Sequence, residues 1–158
     1  MNAKKLALLV ILLLSLALVA CGGATTEEPA AGEALVSKLR MGWAPHYVPN
    51  DTGLMQMLGS EIIGESVKDK IMIYPTVSGS TSGTTGLFYK VKVAKVGPAA
   101  LVCNEVHYID IAGAMASEIP AVDSLDGDPV QEIQNGDWVE IVADEVGKEA
   151  TVTITRRG

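Results

Sequence analysis

A run of hydroxyl side chains and glycines over residues 76–86 holds the groups of this chain best suited to chemistry. A positioned serine can accept a proton once it is deprotonated, and glycines let backbone amides turn toward an anion. The run follows Pro75 and the apolar residues Ile71–Tyr74, which predict a buried strand, and it precedes a segment with helical periodicity. Because ligands bind at the carboxyl ends of strands in α/β folds, we predict a binding loop here. Alternatively, residues 76–86 form a polar connector that binds no ligand.

Nucleotide binding is not predicted for this loop. It lacks the lysine of a P-loop and the Gly-x-Gly-x-x-Gly spacing of a dinucleotide site. The whole chain has 12 basic and 19 acidic residues, for a net charge of −7, so nucleic acid is not an expected partner.

The N-terminus has the pattern of an export signal. Lys4 and Lys5 precede an apolar run over residues 6–20, which ends in Leu18-Val19-Ala20-Cys21. This tetrapeptide resembles the lipobox of bacterial lipoproteins, which implies cleavage of a signal peptide over residues 1–20, acylation of Cys21 and a membrane-anchored, exported protein. An uncleaved anchor is one alternative, and a cytoplasmic protein follows if the signal is not used. Residues 21–31 have the composition of a flexible tether, and residues 32–158 are predicted to form one domain.

Cys103 is the only cysteine after Cys21, so the domain has no cysteine cluster for zinc or iron–sulfur ligation. We therefore expect no metal or cofactor to be bound by this chain alone. Cys103 itself lies in an apolar run and is predicted to be buried.

The remaining elements are predicted from periodicity and turn residues. Residues 42–60 are rich in Pro, Gly, Asn and Asp and predict a long surface loop. Residues 87–95 predict a helix with Lys90, Lys92 and Lys95 on a solvated face. Strands are predicted over residues 33–37, 71–74, 99–103 and 120–122, a helix over Tyr108–Ser117, a helical turn after Asp128, and a hairpin over residues 138–143 and 150–155.

The order of several short motifs resembles the aconitase X swivel domain family. The motifs are Gly32-Glu33-Ala34-Leu35-Val36-Ser37, Pro49-Asn50-Asp51-Thr52-Gly53, Gly64-Glu65-Ser66-Val67 and Gly79-Ser80-Thr81-Ser82-Gly83. Further matches follow around Gly97-Pro98, Asn104-Glu105, Gly113-Ala114, Ile119-Pro120 and Gly136-Asp137, so the resemblance covers residues 32–154.

This resemblance implies an α/β fold, a single swivelling β/β/α domain like the C-terminal domain of aconitases. It implies that Ser80 is the catalytic base and that Gly79, Thr81, Ser82, Gly83 and Thr84 bind the substrate. It also implies a large-subunit partner that carries an iron–sulfur cluster, and a small hydroxy acid as substrate, such as phosphomevalonate or a hydroxyproline. Family members commonly have Arg or Lys before the Gly-Ser pair, where this chain has Ser78.

Two functions therefore follow from the sequence. The first is the small subunit of an aconitase X-type dehydratase, inactive without its large subunit. The second is an exported, lipid-anchored domain that binds a small ligand or a protein and performs no chemistry. The retained Gly79–Gly83 motif favours the first, and the export signal favours the second, since iron–sulfur partners are normally assembled in the cytoplasm.

Overall fold

The computed structural model describes residues 29–143 and 147–157. The predicted signal peptide, Cys21 and most of the tether lie outside these residues. Within the described ranges, no helix combines the length and apolar character needed to cross a bilayer.

Six strands form one sheet in the order β4-β3-β2-β1-β5-β6. They are β1 (Ala30–Val36), β2 (Ile71–Tyr74), β3 (Ala100–Cys103), β4 (Ala121–Val122), β5 (Trp138–Val142) and β6 (Thr151–Thr155). The first four strands are parallel, and β5 and β6 form an antiparallel hairpin. β1 begins at Ala30, so the last two residues of the predicted tether already belong to the sheet.

β1 changes partner along its length. Its first half pairs antiparallel with β5, from Ala30 opposite Ile141 to Glu33 opposite Trp138. Its second half pairs parallel with β2, starting at Ala34 opposite Ile71. β1 therefore joins the parallel strands to the C-terminal hairpin.

In the described residues the sheet is accompanied by three α-helices and one π-helix: α1 (Ser82–Phe88), the π-helix (Tyr89–Ala94), α2 (Tyr108–Ser117) and α3 (Pro129–Glu132). The π-helix continues α1 directly and ends at Ala94. The next residue, Lys95, caps it in the left-handed conformation with φ of 59°. At the start of α3 the Asp128 side chain accepts a hydrogen bond from the Val130 amide at 3.0 Å, and Pro129 occupies the first turn.

The central strands β2 and β3 are buried on both faces, as expected for parallel strands, whereas β5 and β6 expose alternate residues. Alternate residues of the central strands point to opposite sides. Leu35, Met72 and Leu101 pack beneath α1 and α2, whereas Val36, Ile73 and Val102 pack against α3 and the hairpin.

One sequence prediction holds only in part and another is wrong. Residues 42–60 form an irregular segment as predicted, but not one that lies wholly on the surface, because Trp43, Val48 and Met55 are fully buried in the core under α1 and α2. The Lys90, Lys92 and Lys95 set is not one solvated face, because Lys90 is fully buried. The physical reason is that Lys90 follows Gly83, Gly86 and Leu87 at helical spacing, so it lies on the same buried face, where its ammonium group is hydrogen-bonded.

Candidate functional site

Ser80 lies exposed in the connection between β2 and α1, at the carboxyl end of the parallel strands. The preceding residue, Gly79, has φ of 110°, a conformation open to glycine but strained for other residues. The Ser80 and Ser82 hydroxyl oxygens are 2.9 Å apart and share a hydrogen bond in which either can donate. The loop therefore presents a pair of hydrogen-bonded hydroxyls to solvent.

The backbone amides of the loop divide into two sets. The Gly83 amide donates to the Ser80 carbonyl at 2.8 Å, and the Thr84 amide donates to the Thr81 carbonyl at 3.1 Å. Among the described residues, the amides of Gly79, Ser80, Thr81 and Ser82 donate to no protein acceptor. These amides, which include those of Ser80 and Thr81, are free to stabilise negative charge on a ligand or on the Ser80 oxygen.

The later part of the predicted loop is helical. α1 begins at Ser82, so Gly83, Thr84 and Gly86 belong to its first turns. The Thr84 hydroxyl donates to the Ile109 carbonyl at 3.1 Å, and a Cβ on Gly83 would lie 3.1 Å from the Ile109 side chain. The residues predicted to bind the substrate therefore fall into two groups. Gly79–Ser82 are exposed to solvent, whereas Gly83 and Thr84 lie at the contact between α1 and α2.

A buried polar network lies between the sheet and the helices. The Tyr74 hydroxyl donates to Asp110 Oδ1 at 3.0 Å, and the Trp43 indole N–H donates to the Tyr74 oxygen at 3.4 Å. Asp110 is fully buried, and its Oδ2 has no hydrogen-bond partner among the described residues. Burial raises the pKa of Asp110 to about 6, because desolvation disfavours its charged form. Tyr74 ends β2, so this network supports the strand from which the Ser80 loop departs.

Lys90 extends the network toward α1. Its Nζ donates to the Trp43 carbonyl at 2.8 Å, to Asn50 Oδ1 at 2.8 Å and to the Gly86 carbonyl at 3.2 Å. All three acceptors are neutral, so the ammonium group is hydrogen-bonded without a carboxylate partner. Desolvation lowers the pKa of Lys90 to about 8. These hydrogen bonds hold the segment that follows β1 against α1.

The Lys90 ammonium predicts a pH-dependent stability. Its pKa is about 8 in the folded protein and near 10.5 when exposed, so between these values the unfolded chain binds more protons. The free energy of unfolding should rise with pH across this window, by up to about 3 kcal/mol from this residue. Lys90→Met should lose this contribution, so the change in its free energy of unfolding from pH 7.5 to pH 10, measured by urea unfolding, should be less positive than in the unchanged chain. Comparing the two chains removes the opposite effect of the buried Cys103 thiol, which they share.

Lys92→Met is the matched control, since Lys92 is a partly exposed lysine that pairs with Glu118 on the protein surface. It should show the same change with pH as the unchanged protein. An equal change in Lys90→Met would contradict the burial of the charged amine.

Arg40 is a cation that the sequence analysis did not associate with the loop. Its guanidinium Nη2 donates to the Val77 carbonyl at 3.3 Å, one residue before Ser78. The two segments are adjacent because Met41 and Val77 form a parallel bridge, with the Met41 amide donating to the Thr76 carbonyl. The pairing of two irregular segments leaves no periodic signal in the sequence, so Arg40 could be placed only from the structure.

Cys103 does not suit a metal or cluster ligand. It is fully buried at the end of β3, and burial raises the pKa of its thiol well above the usual range, so the thiolate needed for ligation is disfavoured. In the described part of the chain, His, Cys, Asp and Glu side chains form no group of three that could hold a metal ion. These residues do not fit an iron–sulfur cluster.

The fold and the exposed hydroxyl loop define a class of protein, a swivelling α/β domain. The crystal structure of Thermococcus kodakaraensis aconitase X in its holo form matches with a TM-score of 0.67 and 30% identity. The match covers 79% of this chain and 90% of that one. A second structure, solved by solution NMR, matches with a TM-score of 0.68 and covers 81% of this chain. The predicted fold class is confirmed.

The family model described as the aconitase X swivel domain matches residues 20–152, and the chain belongs to this family. A phosphomevalonate dehydratase small subunit of Methanococcoides burtonii is 38% identical over 112 residues, which are 71% of this chain and 80% of the relative. The protein of the same name from Thermococcus sibiricus is 38% identical over 113 residues, which are 72% of this chain and 83% of the relative.

Proposed function

We propose that this chain is the small subunit of an aconitase X-type dehydratase, which removes water from a small hydroxy acid together with a large subunit. The observation that carries the proposal is the similarity to phosphomevalonate dehydratase small subunits over at least four-fifths of their length. The names of these relatives favour phosphomevalonate over a hydroxyproline as the substrate. Ser80 is exposed and can therefore contact a bound substrate.

Ser80 is proposed as the base of the reaction. Its deprotonated oxygen takes the proton from the carbon next to the substrate carboxylate, and the electrons of that C–H bond form the new double bond as the neighbouring hydroxyl leaves. A serine oxygen at neutral pH needs stabilisation of its negative charge. Two features can provide it: the Ser82 hydroxyl at 2.9 Å, and the amides of Ser80 and Thr81.

The departure of the hydroxyl group is assigned to the large subunit, where the family resemblance places the iron–sulfur cluster. The chain alone should therefore be inactive. The test is to co-express the full chain with the large subunit encoded in its own host, purify the complex and measure the dehydration of phosphomevalonate. Activity only in the complex supports the proposal, whereas a complex without dehydratase activity on any small hydroxy acid contradicts it.

Arg40 is proposed to bind the anionic end of the substrate in place of the cation that the family commonly has at the position of Ser78. Its guanidinium already lies against the loop at the Val77 carbonyl. Guanidinium groups bind carboxylates and phosphates through paired hydrogen bonds. Ser78 cannot take this role, since it is neutral and its hydroxyl donates to the Met41 carbonyl at 3.3 Å.

Arg40→Met should raise the KM of the complex for its anionic substrate about tenfold or more, with a smaller change in kcat, because hydrogen bonds to charged groups contribute about 1.5–3 kcal/mol. Steady-state kinetics measure both constants. Lys38→Met is the control, because it removes an exposed positive charge two residues away. Equal KM values for the two variants would show that Arg40 does not bind the substrate.

The alternative function is an exported, lipid-anchored binding domain, and the order of Lys4, Lys5, the apolar run and Cys21 favours it. If this anchor forms, the protein expressed in its own host should incorporate a labelled fatty acid, and Cys21→Ser should lose the label completely. The label is measured by gel fluorescence after metabolic labelling. An unlabelled protein recovered from the cytoplasm with a large subunit would exclude the anchored form.

A further inference from the structure

Helix α2 is apolar on its exposed side. Tyr108, Ile111, Ala112, Met115 and Ala116 are all exposed, at the spacing of one face of a helix. Tyr108 and Met115 retain 59% and 61% of their accessible surface. The opposite side of α2 is buried on the sheet and α1. An exposed helix side without charged residues is expected to be covered by a partner.

The neighbouring helical segment also exposes apolar side chains on the outside of the domain. Phe88, Tyr89 and Val93, in α1 and the π-helix, retain 38%, 43% and 53% of their accessible surface. α1 and α2 lie side by side in the same direction, as two contacts show. Near the helix starts the Thr84 hydroxyl bonds the Ile109 carbonyl, and at the far end Lys92 pairs with Glu118. We call Phe88, Tyr89, Val93, Tyr108, Ile111 and Met115 the outer helical face.

The outer helical face is large enough to contribute most of a stable interface. Side chains of this size expose roughly 150–250 Å² when free. With about half of each exposed, six of them leave on the order of 500–600 Å² of apolar surface. A standard interface buries about 800 Å² on each partner, including a polar rim.

The N-terminal ends of the helices that form the outer helical face lie near Ser80. α1 starts two residues after Ser80, and the first residue of α2, Tyr108, lies next to the Ile109 carbonyl that binds Thr84. A second chain that completes the Ser80 site must approach this edge of the sheet. One interface over the outer helical face would bring that chain to Ser80.

We propose that the outer helical face docks the large subunit that completes the Ser80 site, an inference that rests on the proposed function. A second copy of this chain is a poorer occupant, because two chains of net charge −7 repel each other. A membrane surface is also a poorer occupant, because helices that bind anionic lipids carry free Lys and Arg beside their apolar side. α2 contains neither, and of the two lysines in the π-helix Lys90 is buried and Lys92 pairs with Glu118.

The test compares two double variants of the full chain. Ile111→Glu with Met115→Glu places two charges on the outer helical face. Leu58→Glu with Ile63→Glu is the matched control, because these residues are 88% and 53% exposed but lie in the segment between β1 and β2. Circular dichroism should show that both variants fold, since all four side chains are exposed.

The face variant should raise the Kd for the large subunit at least tenfold and lower activity in proportion to the complex lost, whereas the control should bind like the unchanged chain. Biolayer interferometry measures the Kd. Unchanged binding by the face variant would overturn the docking site while leaving the proposed function intact, provided that the complex is active. A complex that depends on this face but has no dehydratase activity would uphold the surface and contradict the function.

Two other outcomes would assign the face to another occupant. A homodimer detected by sedimentation that is lost in the face variant, with no binding to the large subunit, would assign it to a second copy. Binding to vesicles of anionic phospholipid that is lost in the face variant, again without large-subunit binding, would assign it to a membrane. Either result would overturn the proposal.

Discussion

Ser80→Ala in the purified complex is expected to lower kcat by about 10²–10⁴-fold, the contribution typical of a positioned general base. KM should change little, because the substrate's anionic end is assigned to Arg40 and to the large subunit. The melting temperature should also stay unchanged, because Ser80 is exposed and its side chain bonds only Ser82 among the described residues. Initial rates and a thermal melt of the same preparation test all three expectations.

Ser82→Ala is the informative comparison for this prediction. It keeps the Ser80 hydroxyl but removes the partner at 2.9 Å, so the rate should fall by a smaller factor, on the order of tenfold, as one hydrogen bond to a charged oxygen is lost. If Ser80→Ala retained more than a tenth of the unchanged kcat, the serine would not be the base. If the two variants were equally impaired, the pair would be acting as a unit.

Gly86→Ala is expected to have the largest effect on stability. A Cβ at this position would lie 2.2 Å from the Trp43 carbonyl oxygen and 3.0 Å from its carbonyl carbon, both backbone atoms that cannot rotate away. Alanine is the better helix former by about 1 kcal/mol, but the enforced separation of α1 from Trp43 should outweigh this gain. It should also stretch the hydrogen bond from Lys90 Nζ to the Trp43 carbonyl. We expect a net loss of about 2–3 kcal/mol, or roughly 5–10 °C in melting temperature.

Gly113→Ala provides the matched control, because Gly113 is also inside a helix and at the contact between α1 and α2. Its Cβ would meet the Leu87 Cδ2 atom at 3.0 Å, the end of a flexible side chain that can move. The loss should be smaller than for Gly86→Ala in the same thermal melt. A Gly86→Ala protein as stable as the unchanged one would show that the Trp43 carbonyl does not lie against α1.

The sequence predicted most of the regular elements because their signals are local. Helix α2 has the predicted bounds Tyr108–Ser117, and β2 has the predicted bounds Ile71–Tyr74. Their patterns depend only on apolar spacing and flanking turn residues, which the folded structure preserves. The hairpin of β5 and β6 likewise followed from alternation on both sides of a turn.

The environment of the candidate site could not be predicted in the same way. Lys90 is predicted to lie on the surface because lysine is charged, although its spacing from Gly83, Gly86 and Leu87 places it on the buried face, where backbone and side-chain oxygens accept hydrogen bonds from its ammonium group. Trp43 lies in a segment whose Pro, Gly and Asp residues indicate a loop, yet its ring fills the space beneath α1. Arg40 reaches Val77 across 37 positions of sequence through an irregular bridge. Each of these positions is set by a long-range contact.

The divided pairing of β1 has a consequence for how the domain is assembled during synthesis. β1 is the first strand to leave the ribosome, but its second half must wait for β2 at residue 71 and its first half for β5 at residue 138. Closing such distant contacts is slow, because the entropy of the intervening chain is lost before the pairing stabilises the product. The first half of β1 therefore remains unpaired until nearly the whole chain is made, and a nascent chain stopped before residue 138 should remain sensitive to protease at residues 30–33.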